Sequence, residues 1–124
     1  MSKIQLKIPN SKGIMLHASL ELPANQKPNH YALFAHCFTC NSNFKAVRNI
    51  SKALTNQGFG VLSFDFTGLG RSEGAFAESH FEANVRDLID VHHFMKENYD
   101  APALFIGHSL GGTAAIVALS LIHI

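Results

Sequence analysis

Ala103-Leu104-Phe105-Ile106-Gly107-His108-Ser109-Leu110-Gly111-Gly112 is the stretch on which the fold turns. Ala103 to Ile106 is a short, continuous apolar run, as expected for a strand buried on both faces. From about Leu110 onward the chain predicts a helix that is apolar nearly all round, and therefore buried. Between the two lies the pattern G-x-S-x-G, from Gly107 to Gly111. On a sharp strand-to-helix turn, a serine hydroxyl projects above the end of a sheet. The residues flanking it must be small because strand and helix close on each other there. Gly107 and Gly111 supply that room, and Gly112 extends it. The Leu110 N–H, opening the helix, is then placed to face a developing oxyanion. A plainer alternative is a glycine-rich contact between helix and strand with Ser109 as a cap. Two glycines early in a helix cost about 1 kcal/mol each against alanine, a cost that needs a reason.

Upstream, two further apolar runs resemble the first: Tyr31 to Ala35, and Gly60 to Phe64. Helical patterns separate them. Phe44, Val47, Ile50 and Leu54 recur at three- and four-residue spacing, with Ser42 or Asn43 to cap the start and Gly58 to end the helix in a left-handed conformation. Ser79-His80-Phe81-Glu82 fits a capping box before a second stripe of Phe81, Val85, Leu88, Ile89 and Met95. The N-terminal third alternates differently. Ile4, Leu6 and Ile8, then Ile14, Leu16, Ala18, Leu20 and Leu22, have a period of two, and Pro9 to Gly13 carries turn chemistry. That predicts an antiparallel pair of strands. Strand–helix alternation after it predicts an α/β fold: a mostly parallel sheet with helices on both faces and right-handed crossovers.

The 124 residues suffice for one domain. Ten Lys and Arg against nine Asp and Glu give a net charge of +1, with no basic cluster. Nothing electrostatic favours nucleic acid or an anionic membrane as partner. Ala114 to Ile124 is too short and too interrupted to span a bilayer, and the N-terminus lacks the apolar core of a secretory signal. A cytoplasmic location is expected, with the two cysteines as thiols.

Other candidate groups are weaker. Cys37-Phe38-Thr39-Cys40 is a C-x-x-C beside a strand, which opens a thiol redox function using Cys37 and Cys40. The helix that follows starts only at about Ser42, so neither thiol sits squarely at its N-terminus. His92 and His93 are adjacent on a helix and face different ways. No i, i+4 histidine pair exists, so no metal site is expected. Gly68-x-Gly70-x-x-Glu73 misses the third glycine of a dinucleotide fingerprint, so no cofactor is expected either.

Three signatures occur in a telling order. Ala35-His36-Cys37-Phe38-Thr39-Cys40 follows the third predicted strand. Asp65-Phe66-Thr67-Gly68-Leu69-Gly70-Arg71-Ser72-Glu73-Gly74 follows the fourth. Gly107-His108-Ser109-Leu110-Gly111-Gly112 follows the fifth. From about Ile4 to Ala118 the chain resembles the N-terminal part of the α/β-hydrolase superfamily. It is most similar to bacterial hydrolase domains often fused to an OsmC-like domain, within a clan of serine-aminopeptidase-like and esterase-like enzymes. The resemblance implies the first five strands of that fold and Ser109 as a nucleophile cleaving ester or peptide bonds of a small-molecule acyl substrate. It implies the Phe38 and Leu110 N–H groups as oxyanion donors, although Cys37 stands where many relatives have glycine. It also implies that Asp65 ties down its glycine-rich turn. His36, near the top of the sheet, is expected to shape the oxyanion loop, and His108, which the geometry of the turn points away from the hydroxyl, to pack beside the elbow.

Family members order their triad as Ser, then Asp or Glu, then His. The fifteen residues after Ser109 hold no Asp or Glu, and their one histidine is His123. Along a regular helix His123 lies about 21 Å from Ser109, out of reach. The expectation is a partial domain, residues 1–124, truncated soon after the elbow helix begins and inactive on its own. A non-catalytic fragment is the remaining reading.

Overall fold

The computed structural model describes residues 2–36, 45–75, 77, 79–108 and 110–122. The elements run β1 (Ser2–Pro9), β2 (Met15–Leu22), β3 (His30–Ala35), α1 (Lys45–Asn56), β4 (Phe59–Phe64), α2 (Phe81–Asn98), β5 (Leu104–Gly107) and α3 (Leu110–Ile122). The five strands form one sheet in the order β1-β2-β4-β3-β5. β1 and β2 are the expected antiparallel pair, in the register Ile4↔Leu20. β2 also runs antiparallel to β4, whereas β3 is parallel to both β4 and β5. The sheet is therefore mixed, and β4 stands between β2 and β3.

Side chains alternate across a strand, so each face carries every second residue. One face presents Leu16, Ala18, Leu20 and Leu22 of β2, Leu33 and Ala35 of β3, and Leu62 and Phe64 of β4. They join Val85, Leu88, Val91 and Met95 of α2 and Ala114, Ala115 and Ala118 of α3 in one buried cluster. The other face carries Ala32, Phe34 and Val61. There Val47 and Ile50 of α1 line a small pocket together with Phe34 and Ile106. Helices thus cover both faces.

Local details depart from the sequence reading in four places. The α2 N-cap is His80, whose Nδ1 accepts the Ala83 N–H at 3.2 Å; the Ser79 hydroxyl is buried without a hydrogen-bond partner among the described residues. The cap lies one residue later than the capping box implies, so the imidazole takes the Ala83 N–H rather than that of Glu82. The buried line of α1 runs through Val47, Ser51 and Thr55, with Ile50 turned toward the surface. Strand β5 ends the sheet, so Leu104 is partly exposed rather than enclosed. Helix α3 buries a stripe of alanines and leaves Ile116 71% exposed, because among the described residues only one side of it meets the sheet and α2. Gly58, at φ +89°, ends α1 as expected, in a conformation that costs glycine no Cβ clash.

Candidate active site

The turn after β5 is set by backbone packing. β5 ends at Gly107 and α3 begins at Leu110, so two residues separate strand from helix. A Cβ on Gly107 would lie 2.3 Å from the Gly112 Cα. One on Gly111 would lie 2.3 Å from the Ala35 carbonyl oxygen and 2.4 Å from that of His36. The His108 N–H donates to the Ala35 carbonyl at 3.0 Å, and the Gly111 N–H to the His108 carbonyl at 3.0 Å. Helix α3 therefore starts in direct contact with the ends of both β5 and β3. Leu110 opens that helix, and its N–H belongs to the first turn, where backbone donors lack intrahelical acceptors.

The strand ends beside it are pinned by buried polar groups. His36 Nε2 lies 3.0 Å from Asp65 Oδ1, and both side chains are 1% exposed. A carboxylate only accepts, so this nitrogen carries the proton. Asp65 Oδ2 accepts the Arg71 N–H at 3.0 Å, and His17 Nδ1 stands 3.8 Å away. The Ser72 hydroxyl donates to the Asp65 carbonyl and accepts the His17 N–H. The Glu73 N–H reaches the Met15 carbonyl at 3.0 Å. Asp65 thus ties down the glycine-rich turn, and β2 braces it from the far side.

A second buried carboxylate holds the same loop. Asp87 accepts the Thr67 N–H at 2.8 Å, the Thr67 hydroxyl at 2.7 Å and the Asn10 amide at 3.0 Å. Burial raises its pKa above the ordinary carboxylate value, outweighing these hydrogen bonds and the charge of Arg86. Sequence reasoning passed over Asn10, Thr67 and Asp87. The available signal was Asp87 itself, a charge placed among the buried positions of α2 beside Leu88.

At the C-terminal ends of β3 and β5 lies an apolar pocket of about 100 Å³, lined by Phe34, His36, Val47, Ile50, Ile106 and His108, among others. His108 stands exposed at its rim rather than packed in the interior. Of the predicted site residues, Gly107, Gly111 and the Leu110 backbone meet at the turn. Ser109, Phe38, Cys37 and Cys40 lie outside the described residues. His92 packs near Phe105, ring centroids 6.0 Å apart, while His93 is exposed. Among the described residues no group of three or more His, Cys, Asp or Glu is gathered as a metal would require, and no helix is long and apolar enough to cross a membrane.

The family model described as serine aminopeptidase, S33, matches residues 26–123. The chain belongs to that family. Within this S33 chain, 60 residues are 37% identical to monoglyceride lipase of Rattus norvegicus, covering 47% of the chain and 20% of the lipase. The esterase domain of a Rhodothermus marinus protein is 44% identical over 97% of the chain and 47% of its own length, with a TM-score of 0.77. Est1E of Butyrivibrio proteoclasticus, solved with ferulic acid bound, superposes at a TM-score of 0.87 over 95% of the chain and 48% of its own length. At 23% identity it speaks for the fold alone. The S33 chain spans about half the length of these solved structures and a fifth of the lipase.

Proposed function

We propose that the chain is the nucleophile-bearing half of a serine hydrolase that cleaves ester or peptide bonds of small acyl substrates through an acyl-enzyme on Ser109. The observation that carries this reading is the two-residue connection between β5 and α3, clamped by glycine backbones on both sides. A connection that tight exists at a cost in helix propensity, and presenting a side chain at the end of a sheet explains the cost. The S33 family match and the esterase relatives support the same chemistry.

In this mechanism the Ser109 hydroxyl attacks the acyl carbon and its proton passes to a histidine base. The tetrahedral oxyanion is held by the Leu110 N–H and by that of Phe38. Collapse expels the alcohol or amine, and water then releases the acid. A serine without a base is a weak nucleophile. The base and its acid partner come from chain beyond residue 124, in keeping with relatives about twice as long. The protein is placed in the cytoplasm, without metal or cofactor and with neither nucleic acid nor membrane as partner. An OsmC-like domain following the hydrolase part belongs to the same proposal.

The test uses the longer protein and a fluorophosphonate probe, which labels activated serines. Labelling is expected to vanish in Ser109→Ala. Labelling that survives that substitution removes Ser109 from the role.

A further inference from the structure

Charge is divided along this chain in a way its near-neutral total conceals. Residues 1–64 hold seven Lys and Arg against one acid, Glu21, whereas residues 65–124 hold three against eight. The fold gathers much of the positive excess on one side. Lys3 and Lys7 of β1 stand opposite Glu21 and His17 of β2, with Gln5 opposite Ser19 between them. Ser19 and Glu21 stand in turn opposite Ser63 and Val61 of β4, which pair with Phe34 and Ala32 of β3. Paired residues share a face of the sheet, so Lys3 and Lys7 project on the side that carries α1. On α1, Lys45, Arg48 and Lys52 recur at spacings of three and four, which makes one stripe. Ile50 lines the pocket beside Ile106 of β5, and the buried line Val47, Ser51, Thr55 separates it from that stripe around the helix. The stripe therefore looks away from β5, toward β2 and β1. Helices α2 and α3 pack on the other face, and all five of these cations are exposed.

Two rows of cations thus border one step between sheet and helix. Lys3 to Lys7 spans about 13 Å along a strand, and Lys45 to Lys52 about 10 Å along a helix. Neither β1 nor α1 contains an acid. Glu21, the acid on this face of β2, is 9% exposed, and burial raises its pKa against the pull of Lys3. One buried carboxylate does not neutralise five exposed cations. We propose that this step is a docking surface for an acidic, extended segment of a partner protein. Charge complementarity is the argument, and the residues absent from the surface narrow the partner. Neither β1 nor α1 holds an aromatic side chain on which a nucleic-acid base could stack. The exposed apolar residues of these elements, Ile50 and Ile4, lie on the far flank of the helix and the far face of the sheet, so the cation rows carry no anchor to enter a bilayer. The surface lies outside the turn between β5 and α3 and does not depend on the identity of the nucleophile.

The test uses the longer protein and a fluorescein-labelled octapeptide of alternating Glu and Ala, long enough at about 3.3 Å per residue to follow either row. Fluorescence anisotropy in about 50 mM salt is expected to show saturable binding, weakened at least about fivefold in about 200 mM salt. The double variant Arg48→Glu, Lys52→Glu on one row and the double variant Lys3→Glu, Lys7→Glu on the other should each weaken binding at least about tenfold. Lys96→Glu, on exposed α2 surface across the sheet, should stay within about twofold. The substituted side chains are exposed, so thermal melts should match the parent's, and because the rows lie on separate elements, either double variant decides the matter if the other fails to fold. Absence of saturable binding overturns the proposal, as does a Lys96→Glu effect equal to that of the row variants. Tighter binding of phosphatidylserine vesicles or of single-stranded DNA through the same rows overturns it in favour of a lipid or nucleic-acid partner. Salt-sensitive self-association that the row variants abolish overturns it in favour of the acidic half of a second copy.

Discussion

Gly111→Ala is the most direct challenge to the turn. The added methyl carbon falls 2.3 Å from one backbone oxygen and 2.4 Å from another. A carbon and an oxygen in contact need a little over 3 Å, so strand end and helix start must separate by roughly 1 Å, and neither neighbour is a side chain that can swing away. Overpacking of this kind costs about 1–3 kcal/mol, and alanine returns about 1 kcal/mol in helix propensity. The net loss of stability is then about 0–2 kcal/mol, up to roughly 10 °C in Tm. Activity should suffer far more. A displacement of about 1 Å between the two halves of the oxyanion hole predicts roughly 100-fold lower kcat. Gly112→Ala is the matched control one residue along, where a Cβ meets Gly107 carbon at an ordinary 3.4 Å. It should gain about 1 kcal/mol of stability and keep most of its activity. Thermal melts and ester turnover on the two variants decide the matter. Equal turnover in both, or a Gly112→Ala variant that loses more activity than Gly111→Ala, refutes the reasoning.

Asp87 predicts a pH dependence. Its folded pKa is raised by burial above the reference value of 3.8, so the folded chain binds that proton more tightly than the unfolded one. Its contribution is full below about pH 3.8 and is lost as pH rises through the folded value. In urea titrations from pH 4 to 7, Asp87→Asn should therefore fall less with rising pH than the parent; a steeper fall contradicts this. Asp87→Ala leaves the Thr67 amide and hydroxyl and the Asn10 amide without their acceptor, and should cost at least about 3 kcal/mol by chemical denaturation. Leu88, fully buried between α2 and the sheet, should cost about 2–5 kcal/mol on replacement by alanine. His80→Ala removes the α2 cap and should lower stability by about 1 kcal/mol, with amide exchange faster in the first turn of that helix.

Strand character and order of elements were legible because the patterns are strong. Period two in β1 and β2 and continuous apolar runs in β3 and β4 have few competing interpretations. The turn at Gly107–Gly111 was legible because only glycine permits backbones to approach that closely. What could not be read is what depends on partners distant in sequence. Nothing local says that β4 inserts between β2 and β3, which leaves β5 at an edge with Leu104 in the open. His80 rather than Ser79 is the cap because α2 begins at Phe81, one residue later than the capping box implies, which makes Ala83 the third helical residue and its N–H the one to be capped. The pairing of His36 with Asp65 spans 29 residues and no spacing rule announces it.

The bond from Asn10 to Asp87 joins residues 77 apart. The turn it secures sits between the first two strands, yet its lock arrives only with the second helix. Closing a segment of that length carries a large entropic cost before any contact rewards it. The pairing of β1 with β2 is local and does not wait for that bond, whereas the lock on the turn between them is complete only with α2 in place.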